Sequence, residues 1–385
     1  MSATVELSYF AARLRRLIRA CAGGPESGAA TQPAEDQSFL SPRPVFDELA
    51  LELFALQFEQ NAPYRRFCEA RQAGPGRVTH WSAIPAVPAA AFKESDLSCL
   101  PAEERSTVFH SSGTIGQQPS RHFHHAASLA VYEASLWAWF SANCQLPIAN
   151  CQLAVLTPPP AQAPYSSLVH MFDTLRRELA AGESAFVGKL AGDGAWDLDL
   201  EAALQLLRAA SAGDRPVLLL GTAFSFVHLL DALAEQDLCL ALPSGSCVLE
   251  TGGYKNRSRL LPKATLHALI SQRLGISSVR ILCEYGMSEL SSQAYDCALA
   301  PARLTLQASR SFHFPPWARA QVISPETGRE VGEGETGLIR VFDLANVYSV
   351  MAIQTEDLGV RRAQGFELLG RAVMAEPRGC SLAAA

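Results

Sequence analysis

Four short segments of this sequence contain residue types that can bind a nucleotide and polarise its phosphates. Residues 111–116 (SSGTIG) combine hydroxyl groups with glycines, which let backbone amides approach an anion closely. Residues 284–289 (EYGMSE) place an aromatic ring, a hydroxyl and a carboxylate close together, and these groups suit a purine, a phosphate and Mg²⁺. The other two segments are residues 249–255 (LETGGYK) and residues 355–371, which begin with TED and end at Arg371.

The Ser/Thr/Gly loop is a candidate phosphate site that differs from a Walker loop, because the GK[ST] ending is missing. A predicted strand, residues 107–110, leads into it. Its hydroxyls can donate to phosphate oxygens and its glycines leave room for them. The candidate residues are Ser111, Ser112, Gly113, Thr114 and Gly116. Taken alone, this composition also fits a surface loop that binds nothing.

The EYGMSE segment follows a predicted strand, residues 279–283. It therefore falls at the carboxyl end of a strand, where open α/β sheets bind ligands. Tyr285, followed by Gly286, offers a flat face for a purine, and Glu289 offers a carboxylate for Mg²⁺. An ordinary capped turn with Tyr285 in the core is the alternative interpretation.

The remaining two segments add bare backbone and charge. Gly252 and Gly253 follow a predicted strand and permit a flat ligand to lie against the main chain, and Lys255 can neutralise phosphate. The Asp357 carboxylate and the Arg371 guanidinium suit ribose hydroxyls and phosphate. A solvated lysine and a surface β-hairpin are the corresponding alternatives.

These segments need a scaffold, and the middle of the chain supplies one. Short apolar runs alternate with helical patterns, which predicts an α/β fold with βαβ units and largely parallel sheets flanked by helices. The predicted strands are residues 107–110, 153–157, 184–187, 217–220, 247–250 and 279–283. The predicted helices are residues 128–142, 166–179, 200–210 and 263–274. From residue 318 onward, turn sequences between short alternating runs predict a small β-rich subdomain.

The N-terminal residues 5–20 have apolar positions at a helical period, with a basic opposite face. We expect this helix to pack on its own domain, although the pattern also fits a membrane surface or a partner. Residues 22–44 are rich in Gly, Pro, Ser and Ala and indicate a linker or an ordered loop. A helix over residues 47–60, capped by Asp47, is predicted next.

The composition is that of a soluble globular protein, since 48% of the 385 residues are apolar, 18% are charged and the net charge is −6. It argues against disordered, collagen-like and nucleic-acid-binding proteins. No apolar run has the length of a transmembrane helix, and the N-terminus lacks the apolar region of a secretory signal. The ten cysteines form neither a CxxC pair nor a zinc pattern, which predicts free thiols in the cytoplasm.

In this order, the four segments resemble the adenylate-forming superfamily of acyl-CoA synthetases, luciferases and adenylation domains, over roughly residues 100–371. The resemblance implies an enzyme that uses ATP and Mg²⁺. It also implies that the Ser/Thr/Gly loop holds the pyrophosphate end of ATP, with Ser120 where many members have lysine. By the same resemblance, Tyr285 stacks on adenine, Ser288 contacts the α-phosphate and Glu289 binds magnesium. Asp357, assisted by Arg371, holds the ribose.

A closer resemblance links the chain to the LuxE-type acyl-protein synthetases, which belong to the fatty-acid reductase complex of luminous bacteria. It rests on Pro119 and Ser120, on the ETGGYK element and on the terminal RGCSL. Members of that family acylate themselves on a cysteine near the C-terminus, and Cys380 lies at the matching position. The comparison with the superfamily also implies that the usual mobile C-terminal domain, with its late lysine, is absent or vestigial.

We therefore expect four regions. They are an N-terminal helix and linker (1–44), an adenylate-forming α/β core (45–316), a β-rich subdomain that completes the nucleotide site (317–371), and a mobile tail with Cys380 (372–385). Cys380 is nine positions after Arg371. An extended segment of nine residues reaches up to about 30 Å, which allows the thiol to swing into a site. A frayed tail with an incidental thiol is the alternative.

The expected reaction has two halves. A carboxylic acid, expected to be a fatty acid, reacts with ATP to give acyl-AMP, and the Cys380 thiolate then takes the acyl group. An NADPH-dependent acyl reductase is the expected recipient. Two alternatives stay open: an acyl-CoA or aryl-CoA ligase that uses free coenzyme A, and a non-catalytic nucleotide-binding scaffold.

Three further groups are less specific. His170 lies in a region that, in the superfamily, lines the acyl pocket or touches the adenylate, and an ordinary core or surface histidine is the alternative. Lys93 either approaches the carboxylate substrate or is solvated. The tract at residues 122–125 (HFHH) resembles a metal-binding tract, but its side chains alternate between the faces of a strand, so we do not expect a metal there.

Overall fold

The computed structural model describes residues 3–22, 44–111, 118–144, 151–179, 184–192, 195–252, 261–296 and 310–372. The helices α1 to α9 are, in chain order, Ala3–Ala22, Pro44–Gln60, Ala62–Glu69, Ala91–Glu94, Ala126–Asn143, Ser167–Glu178, Leu200–Ser211, Ala223–Glu235 and Lys263–Leu274. The strands β1 to β15 are Val87–Pro88, Thr107–His110, Arg121–His124, Gln152–Val155, Ser184–Phe186, Gly188–Leu190, Trp196–Leu198, Val217–Thr222, Cys247–Thr251, Ile281–Tyr285, Ala294–Tyr295, Ala318–Ile323, Thr336–Asp343, Ala352–Arg362 and Gly365–Arg371. Among these helices, none combines the length and the apolar character that crossing a membrane requires.

A mostly parallel sheet forms the centre of the α/β region, with the strand order β11-β10-β9-β8-β4-β5. Its neighbours run parallel, except that β11 pairs antiparallel with β10. Every residue of β8 is buried, because helices cover both faces of the sheet. Helices α5 and α6 pack on one face, and α7, α8 and α9 pack on the other. The predicted alternation of strands and helices is confirmed, with small shifts at the element ends.

A second sheet is built mainly from the chain after residue 318, as the turn pattern predicts. Strands β12 to β15 form an antiparallel meander, in which β15 pairs with the part of β14 that contains Asp357. The short strand β1, from much earlier in the chain, joins this sheet in parallel with β14. The β-rich region is therefore completed by a distant segment, a pairing that no local sequence pattern indicates.

Helix α1 packs on its own domain, as expected. Four positions of its predicted apolar face, Leu7, Phe10, Leu14 and Ile18, are buried, and Leu17 is half-buried. They contact α5 and α2, so the helix covers an apolar surface that would otherwise face solvent. The interpretation of this segment as a docked helix is confirmed.

The beginning of α2 differs from the prediction. The helix begins at Pro44, so Asp47 lies inside the first turn, and the prediction that Asp47 caps the helix is wrong. Proline suits a first helical turn because its fixed φ is helical and its missing N–H needs no partner there. The Asp47 carboxylate instead accepts a hydrogen bond from Arg319 at 3.1 Å and joins α2 to β12.

Candidate active site

The carboxyl ends of β9 and β10 form one edge of the parallel sheet. Glu284 lies opposite Thr251 in the register, so Gly252 and Gly286 follow close together beyond the strands. A methyl group at Gly252 would meet nothing within 4 Å, which leaves open space above the main chain. A methyl group at Gly286 would come within 2.3 Å of a Glu284 carboxylate oxygen. Gly252 therefore leaves bare backbone at the edge where open α/β sheets bind ligands, whereas the Glu284 carboxylate lies against Gly286.

The β14–β15 hairpin brings a carboxylate and a guanidinium to this edge. Asp357 lies opposite Arg371 in the antiparallel register. The Tyr285 hydroxyl donates a hydrogen bond to Asp357 Oδ2 at 2.9 Å, which joins the second sheet to the end of β10. Burial raises the pKa of Asp357, while the Tyr285 hydroxyl and the Arg371 charge lower it. The residues predicted for the ribose and for adenine are thus neighbours.

The Tyr285 ring is buried in an aromatic cluster. Its centroid lies 5.3 Å from that of Phe366, 6.0 Å from Phe312 and 6.2 Å from Phe314. These rings fix the orientation of the tyrosine, so its hydroxyl is held toward Asp357. Stacking of Tyr285 on adenine stays a prediction.

The β2–β3 hairpin holds the Ser/Thr/Gly loop. Ser111 and Ser120 close its base, because the Ser120 amide donates to Ser111 Oγ at 3.0 Å. The Ser288 hydroxyl donates to the carbonyl of His110 at 3.1 Å, so the EYGMSE segment meets the beginning of the loop. Other predicted site residues lie outside the described residues, namely Ser112, Gly113, Thr114, Gly116, Gly253, Lys255 and Cys380.

Glu289 lies near Ser120, which precedes β3, and near Arg371 at the end of β15. It is only 5% exposed, and burial raises the pKa of its carboxyl group. Contact with the Ser120 hydroxyl and the positive charges of Arg371 and Lys93 lower that pKa. The carboxylate is therefore within electrostatic reach of two cations from different parts of the chain. A buried carboxylate of this kind fits Mg²⁺, which is usually bound by one or two carboxylates together with substrate phosphates.

His170 lies on α6, close to the predicted site. Its Nε2 is 3.1 Å from Glu133 Oε1, and its ring packs 5.2 Å from Phe109 and 5.6 Å from Tyr132. The contact with His170 lowers the pKa of Glu133. At the beginning of the same helix, the Ser167 hydroxyl lies 3.3 Å from that of Ser288. A role of His170 toward the acyl group stays a prediction.

The histidine tract follows the predicted alternation. His122 and His124 lie on one face of β3 and are buried, whereas His125 caps helix α5. No cluster of three or more side chains suited to a metal occurs in the parts of the chain that the structure describes.

Comparisons with known proteins identify the family of this chain. The family model for the LuxE acyl-protein synthetases matches residues 174–385, which is more than half of the chain. The chain belongs to the LuxE family. Membership makes it an enzyme of the acyl-ligase class that uses ATP to activate an acyl group.

Two relatives of this LuxE-family chain are both called long-chain-fatty-acid–luciferin-component ligase. The protein from Aliivibrio fischeri is 22% identical over 343 residues, which cover 86% of this chain and 82% of the relative. The protein from Vibrio harveyi is 22% identical over 340 residues, which cover 86% of this chain and 84% of the relative.

Solved structures show the same fold. An open conformation of 2-hydroxyisobutyryl-CoA ligase, in complex with 2-HIB-AMP and CoA, superposes with a TM-score of 0.63 and 16% identity. The match covers 89% of this chain and 80% of the ligase. The post-adenylation state of that ligase gives a TM-score of 0.63, with 89% and 72% coverage. The adenylate-forming fold predicted for the chain is confirmed.

The candidate site also includes supporting residues that no local sequence pattern indicates. Asp343 is buried and accepts hydrogen bonds from the amides of Ser291 (2.9 Å) and Ser292 (2.8 Å), just after Glu289. Burial raises the pKa of Asp343 to about 6. Asn346 Nδ2 donates to the carbonyl of Glu289 at 2.8 Å. No local sequence pattern indicates these roles of Asp343 and Asn346, because their hydrogen-bond partners are more than fifty positions away.

Glu284 is a buried carboxyl group beside Gly286. Burial raises the pKa of Glu284 to about 8, with a further contribution from the charge of Glu250. A glutamate in an unfolded chain titrates near ~4.3. Between these two values the native state binds the proton more tightly than the unfolded state, so this group makes the protein less stable as the pH rises.

Glu284→Gln should remove this part of the pH dependence, because glutamine resembles the neutral carboxyl group. Between pH ~4.3 and pH ~8, we expect the wild type to lose unfolding free energy relative to the variant, by at most about 1.4 kcal/mol per pH unit. The difference should become constant above pH ~8. Urea unfolding of both proteins at several pH values measures it, and other titrating groups cancel in the comparison. A difference that does not grow with pH would contradict a protonated native carboxyl group.

Proposed function

We propose that this LuxE-family enzyme converts a fatty acid and ATP to an acyl-adenylate and pyrophosphate, and then moves the acyl group onto its own Cys380. The observation that best supports the proposal is the convergence of Tyr285, Asp357, Arg371 and Glu289 at one sheet edge. The names of the two relatives support a long-chain fatty acid as the substrate.

In the first half-reaction, a carboxylate oxygen of the acid attacks the α-phosphorus of ATP, and the bond from that phosphorus to pyrophosphate breaks. Negative charge develops on the phosphate oxygens, so the chain must supply oriented donors and cations. Asp357 would accept hydrogen bonds from the ribose. The Ser288 hydroxyl, which donates to the His110 carbonyl in this structure, would turn to donate to the α-phosphate. Arg371 and Lys93 would face the phosphate charge, which their proximity to Glu289 supports.

The remaining site residues would complete the binding of ATP and the acid. Glu289 would hold Mg²⁺, which when bound neutralises charge on the phosphate oxygens. The Ser/Thr/Gly loop at residues 111–116 and Lys255 would bind the pyrophosphate end. The space above Gly252 would accept a flat group, and His170 would line the acyl side.

In the second half-reaction, the Cys380 thiolate attacks the acyl carbonyl, a C–S bond forms, and AMP leaves with the electron pair of the broken C–O bond. The tail begins beside the site, because the Ala372 amide donates to the carbonyl of Glu356 at 2.8 Å. Cys380 lies eight positions further along the chain. Eight extended residues span at most about 28 Å, which allows the thiol to return to the sheet edge.

A thioester on the enzyme requires a recipient. We propose an NADPH-dependent acyl reductase, in keeping with the resemblance to the fatty-acid reductase complex. The described cysteines form no disulfide with one another, which fits the reducing cytoplasm where we place the reaction.

The proposal is tested with the purified chain, Mg²⁺, ATP and a radiolabelled long-chain fatty acid, without coenzyme A. We expect acid-dependent ATP–pyrophosphate exchange and a label on the denatured protein that hydroxylamine removes. If a labelled thioester forms only after coenzyme A is added, the enzyme is a coenzyme A ligase. If no carboxylic acid supports exchange, the chain is a nucleotide-binding scaffold.

Asp357→Asn should raise the KM for ATP in the exchange reaction about tenfold or more, because a charged acceptor for the ribose is lost. The change in kcat should be smaller, since the ribose does not react. Tyr285→Phe is the matched comparison: it keeps the ring and removes the hydroxyl that bonds Asp357. We expect it to raise KM by less than Asp357→Asn does. An unchanged KM for Asp357→Asn would show that this carboxylate does not bind the nucleotide.

A further inference from the structure

His122 contacts the EYGMSE segment at a point that the reaction above does not use. Its Nδ1 lies 2.9 Å from the carbonyl oxygen of Ser288, which is 166 positions away in the sequence. A carbonyl oxygen can only accept a hydrogen bond, so the hydrogen is on Nδ1 and the tautomer is fixed. The histidine therefore donates to the main chain immediately before Glu289.

Two more hydrogen bonds hold Ser288 and Glu289. The Ser288 hydroxyl donates to the carbonyl of His110 at 3.1 Å. Asn346 Nδ2 donates to the carbonyl of Glu289 at 2.8 Å. Separate parts of the chain thus fix the residues proposed to contact the α-phosphate and magnesium. The His122 bond is the one that holds the peptide between them.

The His122 ring is itself fixed and uncharged. The residue is 2% exposed, and its ring lies 4.2 Å from that of His124 and 6.1 Å from that of Phe92. Burial lowers the pKa of His122 to about 4. The imidazole is therefore neutral near pH 7, and it donates a hydrogen bond without adding positive charge near Glu289.

We propose that His122 is a positioning residue that holds the Ser288 carbonyl and thereby aims the Glu289 carboxylate at magnesium–ATP. The inference rests on the proposed function. Because the peptide is planar, a rotation of the Ser288 carbonyl also moves the Cα of Glu289 and its side chain. A misplacement of about 1 Å in an active site can cost roughly a hundredfold in rate.

The test compares two variants that differ in the donor. His122→Leu replaces the donor with an apolar side chain. His122→Asn keeps an N–H group near the Nδ1 position. MgATP binding is measured as the rise in unfolding temperature with MgATP relative to ATP with EDTA, and the exchange reaction gives the KM for MgATP. We expect about tenfold weaker MgATP binding or more for the leucine variant. The asparagine variant should stay within about threefold of the wild type.

His124→Leu is the matched control. His124 is equally buried on the same face of β3, but its Nδ1 lies 3.2 Å from Ser128 Oγ rather than near Glu289. It should lower the unfolding temperature about as much as His122→Leu does. Because His122 keeps its donor, MgATP binding should stay within about threefold of the wild type. Equal losses of MgATP binding in the leucine and asparagine variants at position 122 would overturn the inference, as would wild-type binding by His122→Leu.

Should the leucine variant fail to fold, His122→Gln replaces it, because the glutamine amide reaches the Nε2 position and not Nδ1. Weak MgATP binding by the glutamine variant with near-normal binding by the asparagine variant supports the inference, and equal behaviour overturns it. A wild-type protein that shows neither exchange nor stabilisation by MgATP overturns the proposed function instead, so the two failures are distinguishable.

Discussion

Cys380→Ala should abolish self-acylation and leave activation of the acid intact. We expect the hydroxylamine-labile label on the protein to fall by about a hundredfold or more, because the nucleophile of the second half-reaction is gone. ATP–pyrophosphate exchange should stay within about twofold of the wild type, since the thiol acts only after the adenylate forms. Both quantities are measured on the same preparation with labelled fatty acid.

Cys239→Ala is the matched control, because Cys239 is an exposed free thiol in the described part of the chain. It should change neither the label nor the exchange. A label that persists on Cys380→Ala would place the acyl acceptor elsewhere. A loss of exchange together with the label would mean that Cys380 also contributes to the first half-reaction.

Glu289→Gln should have the largest effect on activation. We expect exchange to fall about a hundredfold or more, because the variant keeps the shape of the side chain but loses the charge that would hold Mg²⁺. MgATP should also raise the unfolding temperature of the variant less than that of the wild type. Exchange at several Mg²⁺ concentrations and thermal unfolding with and without MgATP measure the two effects.

Glu250→Gln separates this effect from the general cost of altering a buried carboxyl group. Glu250 is 3% exposed at the end of the neighbouring strand, where it accepts from the Cys283 thiol at 3.1 Å and lies 3.4 Å from His267 Nε2. We expect it to lower stability while the Mg²⁺ dependence of exchange stays near that of the wild type. If both variants lose the Mg²⁺ dependence to the same extent, the role of Glu289 as a specific Mg²⁺ ligand is contradicted.

The elements of the fold follow largely from local sequence patterns. Helix α9 occupies the predicted residues 263–274, and the strands of the central sheet lie close to their predicted positions. Strands buried on both faces are continuous apolar runs, and amphipathic helices repeat every three or four residues, so short windows suffice. The prediction at Asp47 fails because several residues near a helix end can serve as its start.

The contacts of the candidate site join residues that are far apart in the sequence. The Tyr285 hydroxyl and Asp357 meet across 72 positions of sequence, and β1 completes the second sheet from the other half of the chain. Neither contact has a signature in composition or periodicity. His122 is the clearest case, because a buried strand histidine gives no sign in the sequence that its Nδ1 reaches Ser288.

The sequence by itself determined which chemical groups this LuxE-family chain has, in which order they occur, and which strands and helices precede them. Only the tertiary structure decided that Glu289 lies near Arg371 and Lys93, and that His122, His110 and Asn346 hold the main chain around it. The physical reason is that strand order and register are set by packing over the whole chain, whereas residue type and periodicity are read within a few turns or strands.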